Sequence, residues 1–300
     1  MTHADAIDRR ATAAASKYMG NIAWPTIILG ISIGVVYILS VGLALAGSLS
    51  LWVAVPLVAV LTYLSYTILH ESVHGSITGN DRSLRWLNKA LGYMAAWIVM
   101  IPLTAHRHEH IAHHRYANDE SRDPDFHIGG MGRSPWAPIV AVVKACATQF
   151  VYFQKTRRAG ESPRQTLVLV LEVAAALLPR LAVLAAGYWL EGLALFVLAW
   201  LIGAVVLLYL FAYVVHRPHE ATGRYHDTST VLGPRALEKP FSWIWMFQNF
   251  HSIHHLFPRV PFYRYAELYR EIEDVMEAKQ APVYRMSIRG LEQVPSRAGI

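Results

Sequence analysis

Charged positions vanish over two consecutive stretches near the start of the chain. Thr26 to Gly47 ("TIILGISIGVVYILSVGLALAG") and Leu49 to Leu69 ("LSLWVAVPLVAVLTYLSYTIL") hold no Asp, Glu, Lys or Arg. Each is long enough to cross a hydrocarbon core of about 30 Å at about 1.5 Å per helical residue. A later block, Thr166 to Val215, breaks around "GYWLEG" (Gly187 to Gly192) into two further candidate spans, about 166–187 and 192–215. Glu172 and Arg180 fall inside the first of these, and charges at that depth need partners. A cleaved leader does not fit the first stretch, because roughly 25 residues precede an apolar run longer than the 7 to 15 of a signal peptide.

Two other segments are apolar without being clear spans. Leu84 to Thr104 ("LRWLNKALGYMAAWIVMIPLT") has a charged start and Pro102, which favours an interfacial or re-entrant helix. Ser134 to Arg158 reads as an amphipathic surface helix with Lys144, Lys155, Arg157 and Arg158 near lipid head groups. Ala159 to Gln165 ("AGESPRQ") reads as a loop. After Tyr265, "YRYAELYREIEDVMEAKQ" reads as a solvated amphipathic helix on a cap. The expected fold is an all-α integral membrane protein. It has four transmembrane helices in two hairpins, with a cap formed by 70–165 and 216–300, all in one domain over 1–300.

Composition agrees, with 54% hydrophobic and 16% charged residues. The turns between paired spans carry no Lys or Arg. The other side holds 3 before Pro25, 12 from His70 to Gln165 and 11 from His216 onward. By the positive-inside rule that side is cytoplasmic, which places the protein in the inner membrane. The net charge of +6 therefore describes a membrane-facing cytosolic surface, and no basic-aromatic stripe or RNA motif supports nucleic-acid binding. The single cysteine, Cys146, excludes an internal disulfide and any C-x-x-C metal motif.

The chemistry lies in the histidines, fourteen of whose fifteen stand at or beyond His70. His70-Glu71-Ser72-Val73-His74 satisfies H-E-x-x-H, the zinc-protease pattern in which Glu71 would be the base. A membrane zinc metalloprotease is thus one reading. The other starts from the repeated H-x-x-H-H: His110, His113, His114, and again His251, His254, His255. On a helix, positions i, i+3 and i+4 share a face, so each triplet offers several imidazoles to one region. A catalytic zinc needs three protein ligands; eight imidazoles point to two metals, with Glu71 left as an outer partner. A non-enzymatic metal or haem carrier would need only a few of these histidines. Imidazole alone does not choose among Fe, Zn, Cu and Ni.

The three boxes in this order resemble the membrane fatty acid desaturase and hydroxylase superfamily. The flanking text "HESVHGSITGNDRSLRWLNKALGYM", "HIAHHRYANDESRDPDF", "VVHRPHEATGRYHDT" and "QNFHSIHHLFPRVPFYRY" is similar to its cyanobacterial-type beta-carotene hydroxylases. The resemblance implies two non-haem irons held by His70, His74, His110, His113, His114, His251, His254 and His255, with His216 as a ninth ligand. His219 shares a helical face with His216. Asp119, Asp123 and Asp125 could accept the second ring N–H of ligating histidines, while His106, His108, His127 and His226 read as outer or surface groups. The resemblance further implies dioxygen as co-substrate and removal of hydrogen from an unactivated C–H bond. The product would be an alcohol or an alkene. The implied substrate is lipophilic, either a carotenoid ring or a fatty-acyl chain, entering from the bilayer. The chain has no flavin, haem or iron–sulfur motif, so electrons must come from a partner; the resemblance implies a ferredoxin or cytochrome-type reductase system, which the basic face could steer if it is acidic.

Overall fold

A computed structural model describes residues 3–156 and 163–295. After a short α1 (His3–Ser16), α2 (Trp24–Leu45) and α3 (Leu51–His74) form the first hairpin. Its turn uses Gly47 in the left-handed region, at φ 71°, where a glycine carries no Cβ penalty. Then α4 (Arg85–Val99) packs on both, and α5 (Leu103–Tyr116) follows. Ser72 Oγ donates to the Asn88 carbonyl (2.9 Å), and a Cβ on Gly92 would stand 2.1 Å from that hydroxyl. The glycine is therefore what allows α4 to lie so close to the end of α3. The chain stops at Met100 and re-enters a helix after Pro102, so Leu84 to Thr104 is one short helix and a break.

Next come α6 (Ala137–Thr156), α7 (Pro163–Ala185) and α8 (Trp189–Tyr213). Among the described residues five helices, α2, α3, α6, α7 and α8, are long and apolar enough to cross a membrane. The fifth, α6, is the segment read as an amphipathic surface helix: Lys144 is exposed in its middle and Lys155 lies in its last turn, while its exposed side also carries Val140, Val143 and Val151. Both ends of α6 are nonetheless tied to the level of the histidines, Ala141 packing with Ile128 and Met131, and Phe153 with Ala105 and Leu169. Arg157, Arg158 and most of the expected 159–165 loop lie outside the described residues; Pro163 to Gln165 already belong to α7.

Glu172 and Arg180, the two charges within the apolar part of α7, both find partners. Glu172 accepts from the backbone N–H of Thr104 (3.0 Å) and from its hydroxyl (2.5 Å). Arg180 donates to the carbonyls of Ala176 and Trp97 and lies over the Trp97 and Phe196 rings. They bind α7 to α4 and α5 instead of opposing its insertion. In α8 the backbone widens into π turns at Ala194–Ala199 and Tyr209–Tyr213, the second three residues before His216. Such turns re-aim the residues that follow.

The remainder forms a cap: α9 (Glu238–Ile244), α10 (His251–Leu256), α11 (Tyr265–Glu271) and α12 (Glu273–Ala278). A small sheet corrects the all-α expectation. Strand β1 (Thr230–Leu232) pairs in parallel with β2 (Val283–Ser287), which pairs antiparallel with β3 (Gly290–Gln293). The tail is two helices broken at Ile272, followed by this hairpin. Its inner face is core: Tyr265, Leu268 and Ile272 are fully buried. By contrast α2 and α7 expose Ile28, Ile31, Ile38, Leu167, Leu171 and Leu178, an apolar belt of the kind that faces lipid.

Candidate metal centre

Three helices deliver most of the histidines. The last turn of α3 carries His70 and His74, α5 carries His110, His113 and His114, and α10 carries His251, His254 and His255, while His216 follows α8. Two groups form. In the first, one ring nitrogen from each of His70, His74, His110, His114 and His254 lies within 4.8 Å of all the others; the second unites His113, His216 and His255 on the same terms. Neighbouring positions on a helix point about 100° apart at 3.6 residues per turn. Each His-His pair therefore feeds both groups: His114 and His254 one, His113 and His255 the other. His251 stands beside the second group, its ring 5.0 Å from that of His216 and 4.8 Å from that of His255.

The Nε2 atoms converge. They are 2.9 Å apart for His74 and His110, 3.1 Å for His110 and His114, 2.9 Å for His114 and His254, and 3.2 Å for His113 and His216. Both nitrogens of His70 and of His255, and Nδ1 of His216, are buried with no partner. Unsatisfied buried polar groups cost about 1–3 kcal/mol each, and a cation at the centre of each group would offset that. Burial holds His110, His114, His216, His251, His254 and His255 well below the usual histidine range, in the neutral form that binds metals. Burial pulls His113 the same way, but the Asp123 carboxylate and its hydrogen bond outweigh it, pushing His113 up to about 9.

Outer partners orient several rings, as metal-binding imidazoles require. His113 Nδ1–H donates to Asp123 (2.9 Å), which is fixed in turn by the backbone N–H groups of Asn118 and Asp125. His251 Nδ1–H donates to Gln248 Oε1 (3.1 Å), and His254 Nδ1 pairs with the Tyr265 hydroxyl (2.9 Å). Asp227 stands 3.8 Å from His255 Nδ1. Gln248 was not singled out in the sequence; its place one turn before His251 is the local signal that points to it. Tyr265 and Asp227 carried no local signal.

Of the other candidates, Asp125 is 3.9 Å from His113 Nδ1, with burial and Glu109 pushing it up to about 8. Asp119 does not join: Arg122 and Ser121 hold it well below the usual carboxylate range in an exposed turn. His219 is also apart, stacked on the Tyr213 ring at 5.3 Å and against Gly129. Glu71 is buried beside Thr26, Ser76 and the Phe262 backbone, outside both groups, so it is not placed as the base of a zinc protease. His106 is closer than expected of a surface group: it is buried, stacks on His110 at 5.3 Å and meets Glu109 Oε2 at 3.2 Å. His108 rests on Phe153, His127 donates to the Pro124 carbonyl, and His226 is exposed.

The cage has two unlike faces. On one, His70, His110, His113 and His251 line a small chamber of about 30 Å³ closed by Tyr66, Leu207 and Phe211. On the other, His114 and His255 reach a polar cavity of about 450 Å³.

Comparison with known proteins gives a consistent picture. Residues 46–287 match the family described as fatty acid desaturase. The chain is 29% identical over 226 residues to a beta-carotene ketolase of Paracoccus sp. (strain PC1), covering 70% of this chain and 77% of the relative. It is 27% identical over 222 residues to a beta-carotene ketolase of Paracoccus sp. (strain N81106 / MBIC 01143), covering 68% and 74%. Both relatives are named as ketolases, whereas the flanking motifs resemble hydroxylases.

Proposed function

This chain belongs to the fatty acid desaturase family, and we propose that it is a di-iron, oxygen-dependent oxidase that oxidises a ring methylene of a carotenoid. The observation that carries the reading is the chamber where imidazoles of both groups meet an apolar wall. A hydrocarbon carbon can be held there beside two metal positions with water excluded. His70, His74, His110, His114 and His254 would hold one iron; His113, His216 and His255, with His251, would hold the second. Bound iron would supply the oxygen activation that side chains cannot.

The protein's own groups do the rest. Tyr66, Leu207 and Phe211 position the carbon, where a misplacement of about 1 Å can cost about 100-fold in rate. Asp123, Gln248 and Tyr265 keep their imidazoles aimed inward. Glu109, raised by burial to about 7, lies 3.2 Å from His106 Nδ1 beside the first group and would hold a proton there. Each hydroxylation consumes one dioxygen, two electrons and two protons and releases one water. A second round at the same carbon gives a geminal diol that loses water to a ketone, the product class named for the relatives. Electrons come from an external carrier.

The substrate would enter from the bilayer between four crossing helices, α2, α3, α7 and α8. The cage would face the cytosol, in agreement with the bias of Lys and Arg. The whole chain would act as one unit. A fatty-acyl substrate is the second reading, since the family name itself describes acyl chemistry.

Expression in a beta-carotene-producing bacterial host separates the two. Keto- or hydroxycarotenoids that require oxygen and vanish in His254→Ala support the proposal. An unchanged pigment profile with altered fatty acids would replace it with the acyl reading. About one zinc per chain and no oxygen dependence would defeat both.

A further inference from the structure

His114 belongs to the first histidine group and His255 to the second, yet their rings stack on each other, with centroids 4.2 Å apart and planes at 23°. The His255 side chain is only 3% exposed, yet both residues line the polar cavity of about 450 Å³ and form its floor. Its mouth carries Arg115, Arg122 and Arg224, all exposed. Arg122 is paired with Asp119, whereas Arg115 and Arg224 have no ion-pair partner among the described residues. Tyr116 and Tyr225 flank the opening, with Arg122 over the first ring at 4.7 Å and Arg224 over the second at 5.4 Å. Asp227, recessed beside His255, is the other carboxylate there. The other face of the cage is the chamber of about 30 Å³ closed by Tyr66, Leu207 and Phe211, too small to receive a protein surface.

We propose that this arginine-rimmed mouth is the docking site of an acidic one-electron carrier protein, and that electrons enter the cage at the stacked His114–His255 pair. The inference rests on the oxidase reading above and names that site's partner and its point of contact. Exposed guanidiniums around a recess accelerate and orient an encounter with a negatively charged surface. A pair of rings shared between the two groups lets one docking position serve both metals. Each encounter oxidises the carrier by one electron and reduces the centre by one, so two encounters serve one hydroxylation. Substrate and carrier thus approach from different sides and do not compete.

The test is direct binding of an oxidised, acidic plant-type [2Fe–2S] ferredoxin to the metal-loaded full chain in nanodiscs, measured by surface plasmon resonance across a salt series. For the unaltered protein the affinity should fall steeply with salt, because exposed charges more than about 10 Å apart are screened at 0.1 M. R115E/R122E/R224E should bind about tenfold or more weakly at low salt and lose most of the salt dependence, with R115Q/R122Q/R224Q in between. R82E/R85E/K89E, which reverses three exposed charges on another surface, should stay within about twofold. Equal binding by the mouth variants, or equal loss in the control, would overturn the proposal. Single-turnover product formation after anaerobic chemical reduction and oxygen addition should be unchanged in the Gln variant. Its failure in the unaltered protein would count against the oxidase reading and leave the docking result standing.

Discussion

The Nδ1 of His254 lies 2.9 Å from the hydroxyl of Tyr265, and both residues are fully buried. The tail expected only to pack against the cap therefore reaches into the ligand shell. Tyr265→Phe keeps the ring and removes the hydroxyl. Metal affinity of the first group should fall by about 10- to 100-fold, the usual cost of an outer partner, while the melting temperature changes little. Metal analysis after dialysis against a graded chelator measures it; undiminished retention would show that the hydroxyl does not orient His254.

Asp123 acts on the other group. Asp123→Asn should deplete the site of His113, His216 and His255 selectively, taking the metal content from about two per chain toward one. Asp119→Asn, which alters only an exposed turn, should leave it at two. Loss of both metals, or of neither, from the Asp123 variant would contradict the division into two groups.

The apolar wall of the chamber should set activity without setting metal content. Leu207 is buried in a cavity of about 30 Å³, so Leu207→Trp should push the substrate carbon out of place. Oxygen-dependent product should fall at least about tenfold while metal content stays at the unaltered level. A variant as active as its parent would move the substrate position elsewhere.

Close helix crossings make a separate prediction about stability. A Cβ on Gly203 would stand 2.6 Å from the Ala59 carbonyl oxygen and 2.8 Å from Thr62, where α8 crosses α3. Gly203→Val should therefore cost about 1–3 kcal/mol by overpacking and lower the melting temperature in detergent. Gly42→Val, with nothing within 4 Å of its Cβ, should be tolerated.

Local rules made much of this protein legible. Apolar length located α2, α3, α7 and α8 to within a few residues, because spanning helices answer to one requirement of length and charge. Helical spacing brought His70 to His74, and His110 to His114, onto common faces. That geometry needs nothing beyond the helix itself.

What lies between helices was not in the sequence. The division of H-x-x-H-H between two groups depends on where α5 and α10 cross the end of α3, a matter of packing that no spacing within one helix encodes. The same holds for the choice among Asp119, Asp123 and Asp125. All three stand in one acidic turn, but only the turn's own backbone hydrogen bonds aim Asp123 at His113 and leave Asp119 to Arg122. Tyr265 and Asp227 reach the cage across the fold, and β1 finds β2 some fifty residues away. The helical faces and the histidines follow from local periodicity; which imidazole joins which group, and which carboxylate supports it, was decided by long-range packing.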